Sequence, residues 1–309
     1  MSDRRMWRRL MEGLNNAVPM RLRVMRRQLM KWPKVKKWLR EMKAIELSDS
    51  ERDVVEFLLE SPFNCSMIPY PFALKHDSSC VTVCFDKARG MHYVMTGGKR
   101  LYYPASWQPY SIKAMHNQLL SEQDVDSPHR YERDGWGVRD GDVVVDAGAA
   151  EGFFALSVID RARRVVLVES SPEWLSALQE TFAPFPGKAV FVQRLITGEP
   201  GDSRITLDEI MRMEGGIDFV KADIEGGELA MLKGGSATLT QTGLRLAVAA
   251  YHRKDDAAVI SGFLEQQDFV SSFSPRLILV EDFEDGRLAL RHGICYAEKK
   301  SGIIPLCEQ

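Results

Sequence analysis

The 309-residue chain lacks any apolar run that approaches the roughly 18 residues needed to cross a bilayer. We therefore expect no transmembrane helix. No positively charged start is followed by an uninterrupted apolar stretch, so the sequence also predicts no secretory signal. These two absences favour a cytoplasmic protein, with peripheral contact at a membrane as an alternative.

The sequence contains few cysteines, and they do not occur in closely spaced CxxC pairs. The five residues are Cys65, Cys80, Cys84, Cys295 and Cys307, an odd number without a CxxC pair. This pattern fits neither a disulfide framework nor a zinc ribbon. It is typical of a protein in a reducing compartment.

Charge is small in total and uneven along the chain. The net charge is −2, yet residues 1–43 contain fourteen Lys/Arg and three Asp/Glu, which leaves an acidic remainder. Hydrophobic residues make up 45% and charged residues 27%, the composition of an ordinary globular protein. We expect a basic arm attached to an acidic globular body.

The basic arm, residues 1–43, carries Met, Trp and Leu residues partly at helical spacing, with Pro19 and Pro33 as breaks. It predicts two or three short amphipathic helices. We favour a helical cap whose apolar face packs on the body or on a second subunit. Contact with anionic lipid, contact with nucleic acid and an organellar transit peptide are the alternatives.

Residues 44–126 have the pattern of a small α+β region. A helix is expected from Ser48 or Asp49 to Leu59, ending at Ser61. Three short β runs separated by glycine-containing turns predict an antiparallel meander, and a helix follows over residues 110–123. We expect this region to form a lid or a dimerisation surface.

Residues 127–309 alternate apolar β runs with helical stretches. Such alternation predicts a doubly wound α/β fold with a mostly parallel sheet covered on both faces. The β runs are expected at residues 143–146, 165–169, 190–196, 217–223 and 244–250. Residues 269–273, 277–281 and 287–298 are expected to add antiparallel strands to that sheet, with a turn at residues 284–286.

The first β run of this region ends in a glycine-rich turn. Asp146 closes the strand, and Gly148 and Gly152 allow a sharp turn and close approach to a ligand. A nicotinamide fingerprint would require glycine at position 146. The string DxGxxxG instead resembles the first motif of class I S-adenosylmethionine-dependent methyltransferases.

Glu169 ends the next β run, 23 residues after Asp146. A carboxylate at that place suits the two hydroxyl groups of a ribose. Ser171 and Pro172 then begin a helix by capping rules, which places Glu169 at the edge of the sheet where ligands bind.

The fourth β run ends in charged residues where a buried strand needs partners or a ligand, namely Lys221, Asp223, Glu225 and Glu228. With Thr-Leu-Asp208 upstream, the segment Lys-Ala-Asp-Ile-Glu-Gly-Gly-Glu, which starts at Lys221, closely resembles the FkbM family of methyltransferases. The resemblance spans about residues 123 to 300. Gly227 departs from the family pattern, in which a slightly larger residue is common.

His252 follows the fifth β run and is a candidate general base for a hydroxyl group. A hydrogen-bonded structural histidine is the alternative reading. Asp223 and Glu225 are competing bases, or could hold a divalent metal together with His252. We do not favour a metal.

The resemblance implies a seven-stranded class I sheet and methyl transfer from S-adenosylmethionine to an oxygen of a sugar, a glycan or a related natural product. The expected catalytic residues are His252, Asp223 and Glu225. The expected donor-binding residues are Tyr131, Asp146, Gly148, Ala149, Glu151, Gly152, Phe153, Glu169, Ser170 and Asp223.

Two functions of other classes remain open at this point. One is a catalytically silent donor-binding module that docks a partner or a membrane through its basic arm. The other is a nucleic-acid methyltransferase, which the acidic body disfavours. Homo-oligomerisation is a further expectation that the sequence does not decide.

Overall fold

The computed structural model describes residues 20–62, 64–282 and 285–300. The expectations for residues 1–19, including the break at Pro19, and for Cys307 lie outside these ranges. The four cysteines within them are free thiols. Among the described helices, none is long and apolar enough to span a membrane.

Within residues 20–43, the basic arm forms one long helix where short helices were expected. Helix α1 covers Met20–Met42 and runs through Pro33 without ending. Proline removes one backbone donor and usually kinks a helix. Here the residues after it are held by packing, since Val35 and Leu39 are 1% and 4% exposed. Tertiary packing therefore overrides the local break.

Helix α2, Asp49–Glu60, packs against α1. Its capping box is complete, because the Ser48 side chain accepts from the Glu51 amide and the Glu51 carboxylate accepts from the Ser48 amide. The buried face of α2 includes Val54 and Leu58, which share one apolar cluster with α1. The arm thus packs on the body through its last three turns.

A small meander follows, as the sequence predicted. Strands β1 (Val83–Asp86), β2 (Met91–Thr96) and β3 (Lys99–Tyr102) pair antiparallel in that order. Helix α3, Pro109–Glu122, then leads into the larger fold. The backbone amide of Tyr102 donates to Thr181 Oγ1 at 3.0 Å, which ties the meander to a helix of that fold.

The main sheet has seven strands in the order β11-β14-β10-β9-β4-β5-β6. The strands are β4 (Val143–Ala147), β5 (Arg164–Val168), β6 (Ala189–Val192), β9 (Phe219–Ala222), β10 (Arg245–Ala249), β11 (Phe269–Phe273) and β14 (Ile294–Lys299). The helices between them are α4 (Phe153–Val158), α5 (Pro172–Phe182), α6 (Leu207–Glu214), α7 (Glu228–Lys233) and α8 (Asp256–Gln266). Strands β6, β5, β4, β9 and β10 are parallel, and β14 is antiparallel to β10.

The two faces of this sheet have separate apolar cores because side chains alternate along each strand. Val144 belongs to one cluster and Val145 to the other. Helices cover both faces, which is the doubly wound architecture that the alternating pattern predicted. Strand order changes direction at β4, so a crevice opens at its carboxyl end.

Two strand predictions need correction. The run at residues 190–196 divides into β6 and a short β7 (Leu195–Ile196), which pairs with β8 (Arg204–Ile205) in a sheet of its own. Likewise β12 (Leu277–Glu281) and β13 (Leu288–His292) form a separate hairpin. Apolar residues of β12 are buried against α1 and α2, so that contact removes the hairpin from the main sheet.

Candidate active site

The turn after β4 depends on glycine. Gly148 has φ +72°, and a Cβ there would lie 2.1 Å from the carbonyl oxygen of Asp223. Gly152 has φ +74°, and its Cβ would lie 2.5 Å from the Leu178 side chain. Both positions therefore need a left-handed backbone and no side chain. The carboxyl ends of β4 and β9 can then meet closely.

Glu169 holds the outer side of this turn. Its Oε2 accepts from the Ala150 amide at 3.0 Å, and its Oε1 accepts from the Ser171 amide at 2.7 Å. Each carboxylate oxygen retains a second lone pair. The side chain is partly exposed at the end of β5, beside the exposed Ser170. It can therefore receive further donors from a ligand.

A buried ion pair joins β4 to β9. Lys221 Nζ lies 2.9 Å from Asp146 Oδ1, and both side chains are nearly inaccessible. The same ammonium donates to the carbonyl oxygen of Gly148 at 2.7 Å. Lys221 thus stabilises the glycine turn through the Gly148 carbonyl, and its positive charge balances the negative charge of Asp146.

Asp223 is the common acceptor of the site. The hydroxyl group of Tyr131 donates to Oδ2 at 2.6 Å, and that of Tyr251 lies 3.1 Å from both oxygens. Nε2 of His129 lies 3.3 Å from Oδ2, and Nε2 of His252 lies 3.3 Å from Oδ1. The carboxylate is surrounded by four side chains from two segments of the chain, residues 129–131 and 251–252.

These neighbours decide the charge of Asp223. Burial alone would raise the pKa of this carboxyl, but the hydrogen bond and charge of His129, with the charges of Lys221 and His252, hold the pKa well below its usual range. The charge of Asp223 in turn adds to the effect of burial and raises the pKa of Tyr131 and Tyr251. Asp223 is therefore a fixed anion and both tyrosines remain hydroxyl donors.

His252 lies between carboxylates on both sides of its ring. Nδ1 is 3.1 Å from Glu228 Oε1, and Nε2 faces Asp223 and, at 3.6 Å, Oε2 of Glu225. Burial lowers the pKa of His252, but the Glu228 hydrogen bond and the three negative charges outweigh burial and raise the pKa above the ordinary imidazole value. The ring is thus protonated to a higher pH than a free histidine.

Glu225 differs from its neighbours in exposure and backbone. Its side chain is 82% exposed, and its φ of +55° is uncommon for a residue other than glycine. This backbone turns the chain after β9 so that Glu228, 1% exposed, points back under His252. Oε1 of Glu228 also accepts from the Ile224 amide at 2.8 Å.

One group at this edge has the ligand types of a metal site. Atoms of Asp223, Glu228 and His252 lie within 4.8 Å of one another. The donors around them are directed at the same oxygens, however, since Asp223 receives hydroxyl groups and Glu228 receives a backbone amide. A cation bound by Asp223 or by Oε1 of Glu228 would have to displace these hydrogen bonds, whereas Oε2 of Glu228 accepts none from the described residues.

A cavity of about 480 Å³ opens over these groups. Its volume is in the range of small-molecule sites. The predicted residues that line it are Tyr131, Asp146, Gly148, Ala149, Glu151, Phe153, Asp223, Glu225 and His252. Gly152, Glu169 and Ser170 are not part of its lining; Gly152 is buried under the turn, and Glu169 and Ser170 lie at the end of β5.

Glu151 is the acidic group of the cavity that the turn itself supplies. Burial raises the pKa of this carboxyl to about 7. A carboxyl in such a position gains a charge when a cation binds beside it. Glu151 therefore suits a ligand that carries an ammonium group.

From the sequence, Lys221 and Glu228 were discussed without being assigned to the site. His129, close to Tyr131 in the chain, fitted either the lining of the donor's methionine end or a structural turn, and Tyr251 was not considered. Lys221, Glu228 and His129 belonged to charged segments, but their convergence depends on β9, α7 and the loop before β4 meeting at one edge. Tyr251 was passed over in favour of its neighbour His252. Its position directly after β10 was the available signal.

In a comparison with protein families, residues 196–271 match the model of the methyltransferase FkbM domain. This segment contains Thr-Leu-Asp208 and the stretch from Lys221 to Glu228, so the resemblance inferred from those residues is confirmed. No curated protein matches the chain.

Several solved structures are similar to parts of this chain. The methyltransferase FkbM of Methylobacillus flagellatus is 21% identical, with TM-score 0.43, and the match covers 61% of this chain and 53% of that protein. A precorrin-6y methyltransferase of Geobacter metallireducens is 15% identical, with TM-score 0.38 and coverage of 53% and 82%. An rRNA methylase of Streptococcus thermophilus is 15% identical, with TM-score 0.37 and coverage of 53% and 90%. The chain thus spans about half of the Methylobacillus protein.

Proposed function

We propose that this chain, which carries an FkbM methyltransferase domain, transfers the methyl group of S-adenosylmethionine to a hydroxyl oxygen of a sugar, a glycan or a related natural product. The observation that carries the proposal is the glycine turn after β4, which stands beside a cavity lined by Asp223 and His252. The turn suits the donor, and the two side chains suit a hydroxyl acceptor.

The residues present fit the donor. In the proposal, the ribose hydroxyl groups donate to the lone pairs that Glu169 retains. The Gly148 and Ala149 amides donate to the carbonyl oxygen of Val168, so the turn serves the donor by letting it approach the backbone closely. The donor's ammonium group lies near Glu151, whose carboxyl ionises beside a cation. When bound, the donor would supply a methyl group attached to a sulfonium sulfur, which is a good leaving group.

The protein must then align the acceptor oxygen and remove its proton. We assign proton removal to His252, because a neutral imidazole is a far stronger base than an ionised carboxylate. Its pKa is raised above the ordinary imidazole value, so the base form increases with pH. Activity is therefore expected to rise over a range above that of an unperturbed histidine.

Asp223 has a different role in this proposal. Its pKa lies well below its usual range, so it is a poor proton acceptor at neutral pH. Its oxygens fix Tyr131, Tyr251 and the two histidines. We infer that Asp223 positions the groups that orient the acceptor. Glu225, which is exposed, lies at the entrance beside His252.

The experiment combines donor binding with turnover. Calorimetry should show binding of S-adenosylmethionine and S-adenosylhomocysteine to the wild-type chain. In His252→Ala, methyl transfer should fall by about 10² to 10⁴ while donor affinity is retained, because the proton leaves the acceptor and not the donor. If His252→Ala keeps full activity and EDTA abolishes it, a metal-assisted route through Asp223 and Glu225 replaces this mechanism.

A further inference from the structure

The outer half of the cavity is built by elements outside the main sheet. Helix α1 contributes Val35, the segment after α2 contributes Met67, and α3 contributes Met115 and Leu119. The β12–β13 hairpin closes the remaining side. Lys34 of α1 forms an ion pair with Glu281 at the end of β12, which joins the helix to the hairpin across the cavity rim.

The side chains that face this outer half are mainly apolar. The half-buried members are Met67, Met115, Leu119, Val280 and Leu288. Several of them rest on the apolar cluster shared by α1, α2 and β12, which also contacts Tyr251. The apolar wall therefore continues directly to the hydrogen-bonded groups around Asp223.

Apart from the exposed Lys31, the polar side chains of the same wall have partners within the described part of the chain, and Lys34 pairs with Glu281. Gln118 Nε2 donates to Glu122 Oε1 at 2.7 Å. Gln123 donates to the carbonyl oxygen of His129 and accepts from the Tyr131 amide, both at 3.2 Å. A pocket for a bare sugar needs polar groups that are free to pair with its hydroxyl groups. These glutamines instead support the wall.

We propose that this outer compartment, formed by α1, α3 and the β12–β13 hairpin, binds an apolar segment of the acceptor. The acceptor is then an alcohol with an apolar body next to the hydroxyl group that reaches His252, and a free hydrophilic sugar is a poor substrate. This inference rests on the proposed function and narrows its substrate class. It also makes the basic arm a part of the acceptor site.

Direct binding tests the proposal without turnover. The full chain, saturated with S-adenosylhomocysteine, is titrated by calorimetry with n-hexyl β-D-glucoside and with methyl β-D-glucoside below any micelle concentration. We expect the hexyl compound to bind at least about tenfold more tightly, since each extra methylene in an apolar pocket strengthens binding. Equal affinity, or no measurable binding of either compound, overturns the proposal.

Substitutions in the cavity wall test whether the alkyl chain binds in the outer compartment. Met115→Gln and Leu288→Gln should each reduce the hexyl-to-methyl ratio by about tenfold or more, whereas Val270→Gln, on the exposed face of β11, should leave it unchanged. An unchanged ratio in both cavity variants, with thermal unfolding like that of the wild type, places the alkyl chain elsewhere and refutes the assignment. Failure of S-adenosylhomocysteine to bind would refute the proposed function itself, which separates the two outcomes.

Discussion

Nδ1 of His252 lies 3.1 Å from Oε1 of Glu228, a carboxylate that is only 1% exposed. Nδ1 faces this buried carboxylate, whereas Nε2 faces Asp223 and the exposed Glu225, both of which line the cavity, so we infer that Nε2 is the atom that exchanges a proton. Asp223, Glu225 and Asp256 also act on this ring through their charges. Because the pKa of His252 is higher in the folded than in the unfolded chain, protonation of this ring stabilises the fold. The contribution is complete at pH values below the unfolded pKa and is lost as the pH rises through the folded pKa.

Glu228→Gln should move the rising limb of the pH–rate profile to lower pH. The substitution removes one of the negative charges that raise the pKa of His252 but retains an acceptor oxygen. Glu225→Gln is the matched control, because the Glu225 side chain is 82% exposed and lies 3.6 Å from Nε2 of His252. The rising limb of the pH–rate profile should move less in this variant. Rate profiles that shift equally, or in the opposite direction, would remove Glu228 from the tuning of the base.

Gly148→Ala should cost more stability than Gly141→Ala. Both glycines have positive φ, +72° and +84°, so each alanine is strained by about 1 to 2 kcal/mol. Only at Gly148 would the new Cβ also meet a backbone atom, the Asp223 carbonyl at 2.1 Å, while Gly141 has open space. Chemical denaturation should show the larger loss at Gly148, together with weakened donor binding; equal losses would mean that the turn is not closely packed on β9.

Asp223→Asn should lower both stability and turnover. The amide cannot balance the charges of Lys221 and His129, and removing one partner of a buried ionic group costs about 3 to 5 kcal/mol. Urea titration measures the first effect, and single-turnover methyl transfer by the folded fraction measures the second. Wild-type stability in the variant would show that the buried cations do not depend on this carboxylate.

The sequence predicted the sheet well because its signals are local. Apolar runs of four to seven residues separated by helical stretches predicted the parallel strands, and the DxGxxxG string predicted the turn. The helix break at Pro33 and the placement of β12 in the main sheet were mispredicted for the same physical reason. In both, burial against a distant segment outweighs what neighbours in the chain favour, and Val35, Leu39 and Ile278 share that contact.

The candidate site was only partly predictable, because its central feature is convergence. Asp223 was identified at the end of its β run, but its four ring partners come from the loop before β4 and the segment after β10. Their order around one carboxylate depends on strand order. The acceptor compartment was even harder to predict from the sequence, because it forms only where α1 and the β12–β13 hairpin meet.

Glu169→Ala should weaken donor binding by roughly ten- to a hundredfold. A charge-assisted acceptor contributes about 1.5 to 3 kcal/mol. The same carboxylate also holds the Ala150 amide, so part of the loss comes from a looser turn. Calorimetry with S-adenosylhomocysteine measures the effect, and Glu199→Ala, an exposed residue, is the control. Unchanged affinity in a folded Glu169→Ala would refute the ribose assignment.

Leu39→Ala should destabilise the whole fold if the arm is an integral part of it. Leu39 is 4% exposed in the cluster of α1, α2 and β12, and truncation of a buried leucine costs about 2 to 5 kcal/mol. Arg40→Ala, exposed on the same turn, should change the free energy of unfolding by no more than about 0.5 kcal/mol. Equal midpoints in urea for both variants would show that α1 does not contribute to stability. Salt-sensitive binding to anionic vesicles, lost on deleting residues 1–43, would then become the better account of the arm's basic charge, because a passive tail predicts neither effect.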